Sequence, residues 1–136
     1  MRKLIVGNWK MNGTTADLAE IGAIAQMAAR YPSADSALCL PATLISRAGA
    51  EFTEYHFGGQ DCHMAASGPH TGCVSSMMLK DAGASLTILG HSERRAAGEG
   101  DGVDGAAVVR EAADEVRGLV GDVPHHQRVV ETAGDG

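Results

Sequence analysis

The sequence lacks several features, and each absence excludes a class of protein. There is no run of about 18 consecutive apolar residues, so a membrane-spanning helix is excluded. Residues 1–7 reach a turn before the apolar core of a signal peptide can form, so we expect no export signal. Positive charge is not in excess, and the net charge of −6 argues against nucleic acid as a partner. The chain has only three cysteines, which favours a reduced cytoplasmic protein over a disulfide scaffold.

The residues that are present divide the chain into two parts. The chain has 136 residues, the size of one domain. Hydrophobic residues make up 44% of it and charged residues 21%, which is ordinary for a globular protein. Residues 1–95 hold eight acidic and eight basic side chains, whereas residues 96–136 hold nine and three. The second part also has no Lys, Ser, Met, Cys, Ile, Asn, Phe, Tyr or Trp. We therefore expect residues 96–136 to be an acidic, Gly/Ala/Val-rich tail with a separate character.

Strand and helix patterns alternate along residues 1–95. Short apolar runs bounded by glycine or proline predict strands, and apolar residues at helical spacing predict helices. The predicted strands cover residues 4–6, 37–40, 56–60 and 86–89, the predicted helices start near residues 14, 42 and 76, and a loop covers residues 61–72. Such alternation predicts an α/β fold with right-handed βαβ units and a parallel sheet.

Polar residues cluster at the carboxyl ends of these predicted strands, where ligands bind in parallel sheets. An ammonium and a carboxamide at one rim suit an anionic substrate. The dipole at the start of a helix disfavours a charged imidazolium there, so a histidine at that position is expected to be neutral. A loop lysine is more commonly a solvated charge, however, and a lone histidine more commonly structural, so spacing alone leaves both readings open. The residues concerned are Asn8, Lys10, Gln60, His91, Ser92 and Glu93.

Two longer segments point to a known family. Residues 7–13 (GNWKMNG) and 89–95 (LGHSERR) resemble the first and fourth strand-end signatures of the triose-phosphate isomerase family. Between them, residues 58–62 (GGQDC) and 68–72 (GPHTG) are similar to its third strand and long dimer loop, and residues 80–83 to the turn before strand four. The resemblance implies a partial (β/α)8 TIM barrel, since about 95 of some 250 residues supply three βα units and the fourth strand.

The resemblance also implies a reaction and a set of site residues. The family interconverts dihydroxyacetone phosphate and glyceraldehyde 3-phosphate, a step of glycolysis and gluconeogenesis, without cofactor or metal. By position, Asn8 and Lys10 would contact the phosphorylated substrate, and the Lys10 charge would offset that of the phosphate and enediolate. His91 would be the neutral electrophile, with Glu93 beside it at the catalytic site and Ser92 lining the substrate.

A homodimer is implied by the same resemblance. Gln60, Thr71 and Arg94 match positions at the dimer contact, where the long loop of one subunit reaches the partner's active-site rim. The family commonly has a glutamate where this chain has Cys73, and that acid pairs with the arginine matching Arg94 across the dimer. A thiol does not replace a carboxylate there, so the sequence predicts a weaker interface.

The catalytic base of the family is absent from this sequence. The reaction needs a carboxylate on the substrate carbon, which the family supplies from a Tyr-Glu-Pro-Val-Trp-like segment after strand six, and no such segment or later phosphate loop is present. A positioned base contributes about 10²–10⁴-fold or more to the rate. We therefore expect a truncated isomerase that is inactive alone. The alternative is a non-catalytic half-barrel that binds anions or self-associates through open strand edges.

The tail admits two origins. In residues 96–136, 40 of 41 amino acids have codons that can begin with G or C, against 57 of 95 before it. A GC-rich gene translated out of frame would give this bias, so we interpret the tail as the product of a frameshift, the alternative being a natural acidic extension. An amphipathic helix is predicted over residues 106–120, the tail ends are predicted to be mobile, and His125 and His126 are expected to face solvent.

A metal module is the remaining alternative for the loop after the third strand. Its candidate ligands would be Cys62, His63, His70 and Cys73, which are all residue types that bind zinc. Adjacent Cys and His residues chelate poorly, however, and the family resemblance already accounts for this loop. We therefore expect no metal site.

Overall fold

A computed structural model describes residues 3–98 and the backbone of two later segments, residues 107–110 and 129–131. In these residues six strands and four helices follow one another, with a 3-10 turn at Thr15–Asp17 before the first helix. Their bounds are β1 Lys3–Asn8, α1 Leu18–Ala28, β2 Ala34–Cys39, α2 Ala42–Glu51, β3 His56–Gly59, α3 Ser76–Ala82, β4 Ala84–Leu89, α4 Ser92–Ala96, β5 Ala107–Arg110 and β6 Val129–Glu131. No helix within the described residues has the length and apolar character needed to cross a membrane.

The strands form one sheet in the order β5-β4-β3-β2-β1-β6. The strands β1 to β4 run parallel to their neighbours and alternate with helices, and together they make a curled half-barrel. The predicted α/β class and partial TIM barrel are therefore confirmed. Each of the four strands predicted from residues 1–95 is present, as are the predicted helices and the loop after β3.

Local sequence signals set the helix boundaries. Before α1, the Thr14 backbone N–H donates to the Asp17 carboxylate at 2.7 Å, which is one half of a capping box. At α3, the Ser75 hydroxyl accepts from the Met78 N–H, and Gly83 ends the helix in the left-handed region at φ 107°. Left-handed backbone suits glycine because it has no Cβ, so α3 turns directly into β4.

The sheet has an apolar cluster on each face. On the outer face, helices α1 to α3 pack on the strands through a continuous core, whose largest fully buried members include Phe57, Ile21 and Leu44. On the inner face, Ala37, Cys39, Leu86 and Ile88 form a smaller cluster against Val6. Apolar side chains therefore pack on both faces of β1 to β4.

Two glycines in this framework should respond oppositely to alanine. At Gly58, a Cβ would lie 2.8 Å from the Leu86 carbonyl oxygen and 2.9 Å from the Cys39 sulfur, so neighbouring backbone must move. We expect Gly58→Ala to destabilise the fold by about 1–3 kcal/mol. At Gly49, inside α2, a Cβ meets only ordinary contacts of 3.8 Å or more. Gly49→Ala should therefore stabilise by about 0.5–1 kcal/mol, and urea unfolding of both variants checks the pair. If both variants change the free energy of unfolding in the same direction by the same amount, the prediction is wrong.

Burial of Cys39 should make stability fall in alkaline solution. Burial raises the pKa of this thiol from 9.0 to about 12, although a hydrogen bond with the Ile88 backbone acts in the opposite direction. The folded state therefore keeps a proton that the unfolded state loses above about pH 9. We expect stability to be unaffected by this group below pH 9 and to decline between pH 9 and 12, by at most about 1.4 kcal/mol per pH unit.

Urea midpoints measured from pH 7 to 10.5 check this expectation. Burial also raises the pKa of Tyr55, whose hydroxyl lies 2.9 Å from the Ser36 hydroxyl, so this group adds to the decline at the alkaline end. Cys39→Ala should flatten the profile, and Cys73→Ala, which alters an exposed thiol, should leave it unchanged. An equally steep decline in Cys39→Ala would show that another group causes it.

The structure corrects two expectations about the tail. Ala107–Arg110 forms strand β5, antiparallel to β4, so the predicted helix is wrong at these residues. The edge of β1 pairs with β6, also antiparallel. The expectation that the half-barrel leaves the edges of β1 and β4 open is therefore wrong along Lys3–Ile5 and Leu86–Leu89. Backbone pairing satisfies groups that an apolar sheet edge would otherwise expose. His125, His126 and the rest of the predicted helix lie outside the described residues.

Candidate active site

The candidate site lies where β1, β3 and β4 end. These strands run parallel, so their carboxyl ends meet along one rim of the half-barrel. Lys10 follows β1, Gln60 follows β3, and His91 links β4 to α4. The fold therefore brings together side chains that stand far apart in the sequence, as expected for strand ends of a parallel sheet.

Lys10 is held in an unusual backbone conformation. Its φ is +56°, the only positive value among the described non-glycine residues. The Lys10 N–H donates to the Asn8 side-chain oxygen at 2.9 Å, and the Gln60 amide donates to the Lys10 carbonyl at 2.8 Å and to that of Cys39 at 3.2 Å. A left-handed conformation costs about 1–2 kcal/mol in a non-glycine residue. The bonds from Asn8 and Gln60 offset that cost and fix where the lysine side chain leaves the backbone.

The Lys10 side chain crosses the rim to α4. Its Nζ lies 2.6 Å from Oε1 of Glu93, and both side chains are about half exposed, at 51% and 54%. Exposed pairs of this kind contribute little to stability because solvent screens them. The consequence of the pair is geometric, since it places an ammonium group between β1 and the start of α4.

His91 precedes α4 and has a defined hydrogen bond at one ring nitrogen. Nδ1 accepts from the Glu93 backbone N–H at 3.2 Å, and the Glu93 carboxylate lies 3.5 Å from the same nitrogen. A nitrogen that accepts an N–H carries a lone pair, so the neutral ring with this bond has its proton on Nε2. In this form the ring carries its N–H donor at Nε2.

Arg94 forms an ion pair within the chain. Its guanidinium lies 3.0 Å from Oδ2 of Asp61, the residue after Gln60, and the two side chains are 38% and 28% exposed. The Asp61 backbone carbonyl also accepts from the Thr87 hydroxyl at 3.2 Å. The pair therefore joins the end of β3 to α4, beside the contact between Lys10 and Glu93.

The predicted site residues fall into two groups. Asn8, Lys10, His91 and Glu93 meet at the rim, and Ser92 is the first residue of α4. Gln60, predicted at a dimer contact, donates both of its described bonds inside the chain. Thr71 is exposed in the loop between β3 and α3.

The loop between β3 and α3 also holds the candidate ligands of the metal alternative. The His63 and His70 rings stack, with centroids 3.9 Å apart and planes 28° apart. His63 Nδ1 accepts the Ala65 N–H at 2.9 Å, so a structural bond already uses that nitrogen. Within the described part of the chain, no three His, Cys, Asp or Glu side chains are placed to hold a metal ion. The structure thus gives the metal alternative no ligand set there.

Sequence reasoning missed the role of Asp61 and the inward bonds of Gln60. The sequence predicts only a loop at Asp61, and nothing in its neighbours indicates a partner 33 positions later. The GGQDC segment carried the signal in part, because its two glycines mark a close backbone approach and place the next polar residues at a strand end.

Comparison with known proteins gives a consistent result. The family model described as triosephosphate isomerase matches residues 3–116. A curated triosephosphate isomerase from Jannaschia sp. is 55% identical over 117 residues, which cover 83% of this chain and 46% of that protein. One from Mesorhizobium japonicum is 48% identical over 125 residues, covering 88% of this chain and 48% of that protein.

A solved structure agrees with these relatives. The crystal structure of triosephosphate isomerase from Bartonella henselae superposes with a TM-score of 0.66 at 49% identity, covering 70% of this chain and 40% of that one. The chain thus spans less than half the length of these relatives. The family match also continues 21 positions beyond Arg95, and the boundary at residue 95 stays a prediction. Matches of this extent and identity show that the chain belongs to the triosephosphate isomerase family.

Proposed function

We propose that this chain carries the electrophilic half of an active site that interconverts dihydroxyacetone phosphate and glyceraldehyde 3-phosphate, a step of glycolysis and gluconeogenesis. The observation that carries the proposal is the cluster of Lys10, Glu93 and His91 at one rim of the half-barrel. A cation and a neutral ring donor side by side suit a substrate that bears a phosphate and develops an enediolate oxygen. The curated relatives named triosephosphate isomerase support the same reaction.

Each residue has a proposed role in that reaction. His91 donates from Nε2 to the carbonyl oxygen of the substrate and stabilises the enediolate. Lys10 offsets the negative charge of phosphate and enediolate, and Glu93 holds the Lys10 ammonium and the His91 ring in place through its two contacts. Asn8 and Ser92 contact the substrate. The reaction is an internal proton transfer, so the proposal includes no cofactor and no metal.

The chain as it stands is proposed to be inactive alone. Proton abstraction from the substrate carbon needs a carboxylate base, and no Tyr-Glu-Pro-Val-Trp-like segment occurs in the sequence. An electrophile without a base loses about 10²–10⁴-fold or more of the rate. The contacts at the rim nevertheless hold Lys10 and His91 in a defined arrangement, ready for a base from the remainder of a barrel.

We further propose a cytoplasmic homodimer for the assembled barrel. The three free thiols are consistent with a reducing compartment. Thr71, exposed in the loop after β3, is the residue proposed to contact the partner. Gln60 and Arg94 have bonds inside the chain, so their contribution to a dimer contact is proposed to be smaller than the resemblance implies.

The origin of the tail is proposed to be a frameshift, and the gene tests it. A second reading frame that restores family-like sequence downstream of the codon for Arg95 is the expected result, although the family model matches the present frame as far as residue 116. If no frame does so, the tail is an extension of the protein. The alternative function, an anion-binding half-barrel that self-associates through its edges, has less support, because β5 and β6 pair with the edges of β4 and β1.

A graft tests the proposed activity. Residues 1–95 are joined to the part of the Jannaschia relative that follows the position matching Arg95, and this fusion, the graft, is compared with the full chain in a coupled isomerase assay. We expect background turnover from the full chain and measurable turnover from the graft. A graft that folds by circular dichroism but stays inactive, beside an active parent enzyme, would overturn the proposal.

A further inference from the structure

We propose that Asp61 is a positioning residue, which fixes the orientation of α4 through Arg94 and so orders the His91 ring within a single chain. The inference rests on the proposed function, because it concerns how the electrophile of that site is held. It adds a residue to which the family resemblance of the sequence gave no role.

The contacts at the rim form a closed ring. Starting from β3, the Gln60 amide donates to the Lys10 carbonyl, and the Lys10 ammonium contacts Glu93 on α4. The next residue of α4 is Arg94, which returns to Asp61, the neighbour of Gln60 in sequence. Two consecutive residues at one strand end therefore anchor the two segments that carry Lys10 and His91.

Helix α4 needs such an anchor because it is short. It has five residues, and a helix of that length has little stability of its own in water. Two adjacent residues of α4 are tied to different segments, Glu93 to the β1 end and Arg94 to the β3 end. Two contacts that lie in different directions restrict rotation of the helix, whereas a helix held by one contact can still rotate about it.

The Asp61–Arg94 pair is the less exposed of these two anchors. Its side chains are 28% and 38% exposed, against 51% and 54% for Lys10 and Glu93. Solvent screens the pair less, and the Asp61 backbone is itself held by Thr87 on β4. A fixed α4 keeps the Glu93 N–H directed at Nδ1 of His91, and this bond selects the Nε2–H form of the ring.

Nitrogen NMR of the full chain tests the inference. In ¹⁵N-histidine-labelled protein, with His91 assigned by His91→Gln, the native ring should show the distinct Nδ1 and Nε2 signals of one neutral tautomer. Asp61→Asn removes the charge and keeps the size of the side chain. We expect it to move both His91 nitrogens toward the common value of exchanging tautomers, while the urea midpoint is recorded separately.

Two further variants complete the test. Asp81→Asn makes the same chemical change at an exposed residue of α3 and should leave the His91 signals unchanged. The exchanged pair Asp61→Lys with Arg94→Glu should restore the single tautomer in part, which a general loss of packing would not allow. If Asp61→Asn fails to fold, Arg94→Lys, which keeps the charge and loses the guanidinium fork, is measured instead.

Unchanged His91 signals in a folded Asp61→Asn or Arg94→Lys variant would overturn the positioning role. The same holds if Asp81→Asn has an equal effect, or if the exchanged pair restores nothing. These outcomes are independent of the proposed function, whose failure is an inactive graft with native His91 signals in the full chain.

Discussion

His91→Gln in the graft is expected to lower kcat by about 10²-fold or more, the cost of losing one donor to a developing oxyanion. In the wild-type chain, Nδ1 accepts from the Glu93 N–H, so the neutral ring carries its N–H at Nε2, the atom proposed to donate to the substrate oxygen. A glutamine amide has no ring to fix its donor in that way. The charge on the substrate oxygen grows toward the transition state, so the loss should be concentrated in kcat, with a smaller change in KM.

A matched histidine variant controls this measurement. His56 lies at the opposite end of β3 and is exposed, with its ring 3.3 Å from the Ser85 hydroxyl. His56→Gln should leave both kcat and KM close to those of the unmodified graft. If His91→Gln retains more than a tenth of kcat, or if His56→Gln loses as much, His91 is not the electrophile.

Phe57→Ala is expected to cost about 3–5 kcal/mol of stability, as large-to-small changes in packed cores do. The Phe57 side chain is 1% exposed and lies on β3 inside the core shared by α1, α2 and α3. Its ring also meets the edge of Tyr55, with centroids 5.4 Å apart. A domain of this size is stable by only about 5–15 kcal/mol, so this single change removes a large share.

Urea unfolding followed by circular dichroism measures the loss. Phe57→Leu fills most of the space and should cost clearly less than the alanine variant. Met11→Ala serves as a surface control, because Met11 is 94% exposed and should change stability by no more than about 0.5 kcal/mol. A cost for Phe57→Ala below that of Phe57→Leu would show that the core closes around the missing ring.

The fold of residues 1–95 was predictable because each element carries a local signal. Pro41 and Gly83 mark boundaries, and the capping pair of Thr14 and Asp17 marks the start of α1. The parallel arrangement followed from the alternation of strands and helices. The prediction failed at Ala107–Arg110, where a helical stripe and a strand compete for the same apolar residues and backbone pairing with β4 prevails.

The meeting of the candidate site's side chains at one rim was predictable, and their contacts were less so. Lys10 and His91 follow the ends of β1 and β4, and the family resemblance implies the roles that are proposed for them. The Asp61–Arg94 pair depends on how far β3 and β4 are staggered, and an irregularity in their register between Phe57 and Gly58 is not encoded by any local pattern. The positive φ of Lys10 was equally unpredictable, because lysine is not a residue type that favours left-handed backbone.

The pairing of β1 with β6 has a consequence for how the chain folds. Leu4 lies opposite Val130, so the first strand gains its second neighbour from near the other end of the polypeptide. Contacts between neighbouring βα units close short loops, whereas this one closes nearly the longest loop available, and such contacts form late. During synthesis, β1 to β4 leave the ribosome before β6 is made. The half-barrel therefore assembles while the outer edge of β1 is still unpaired with β6. The slowest phase of refolding should therefore correspond to the pairing of β6 with β1, and not to the formation of the rim that holds Lys10 and His91.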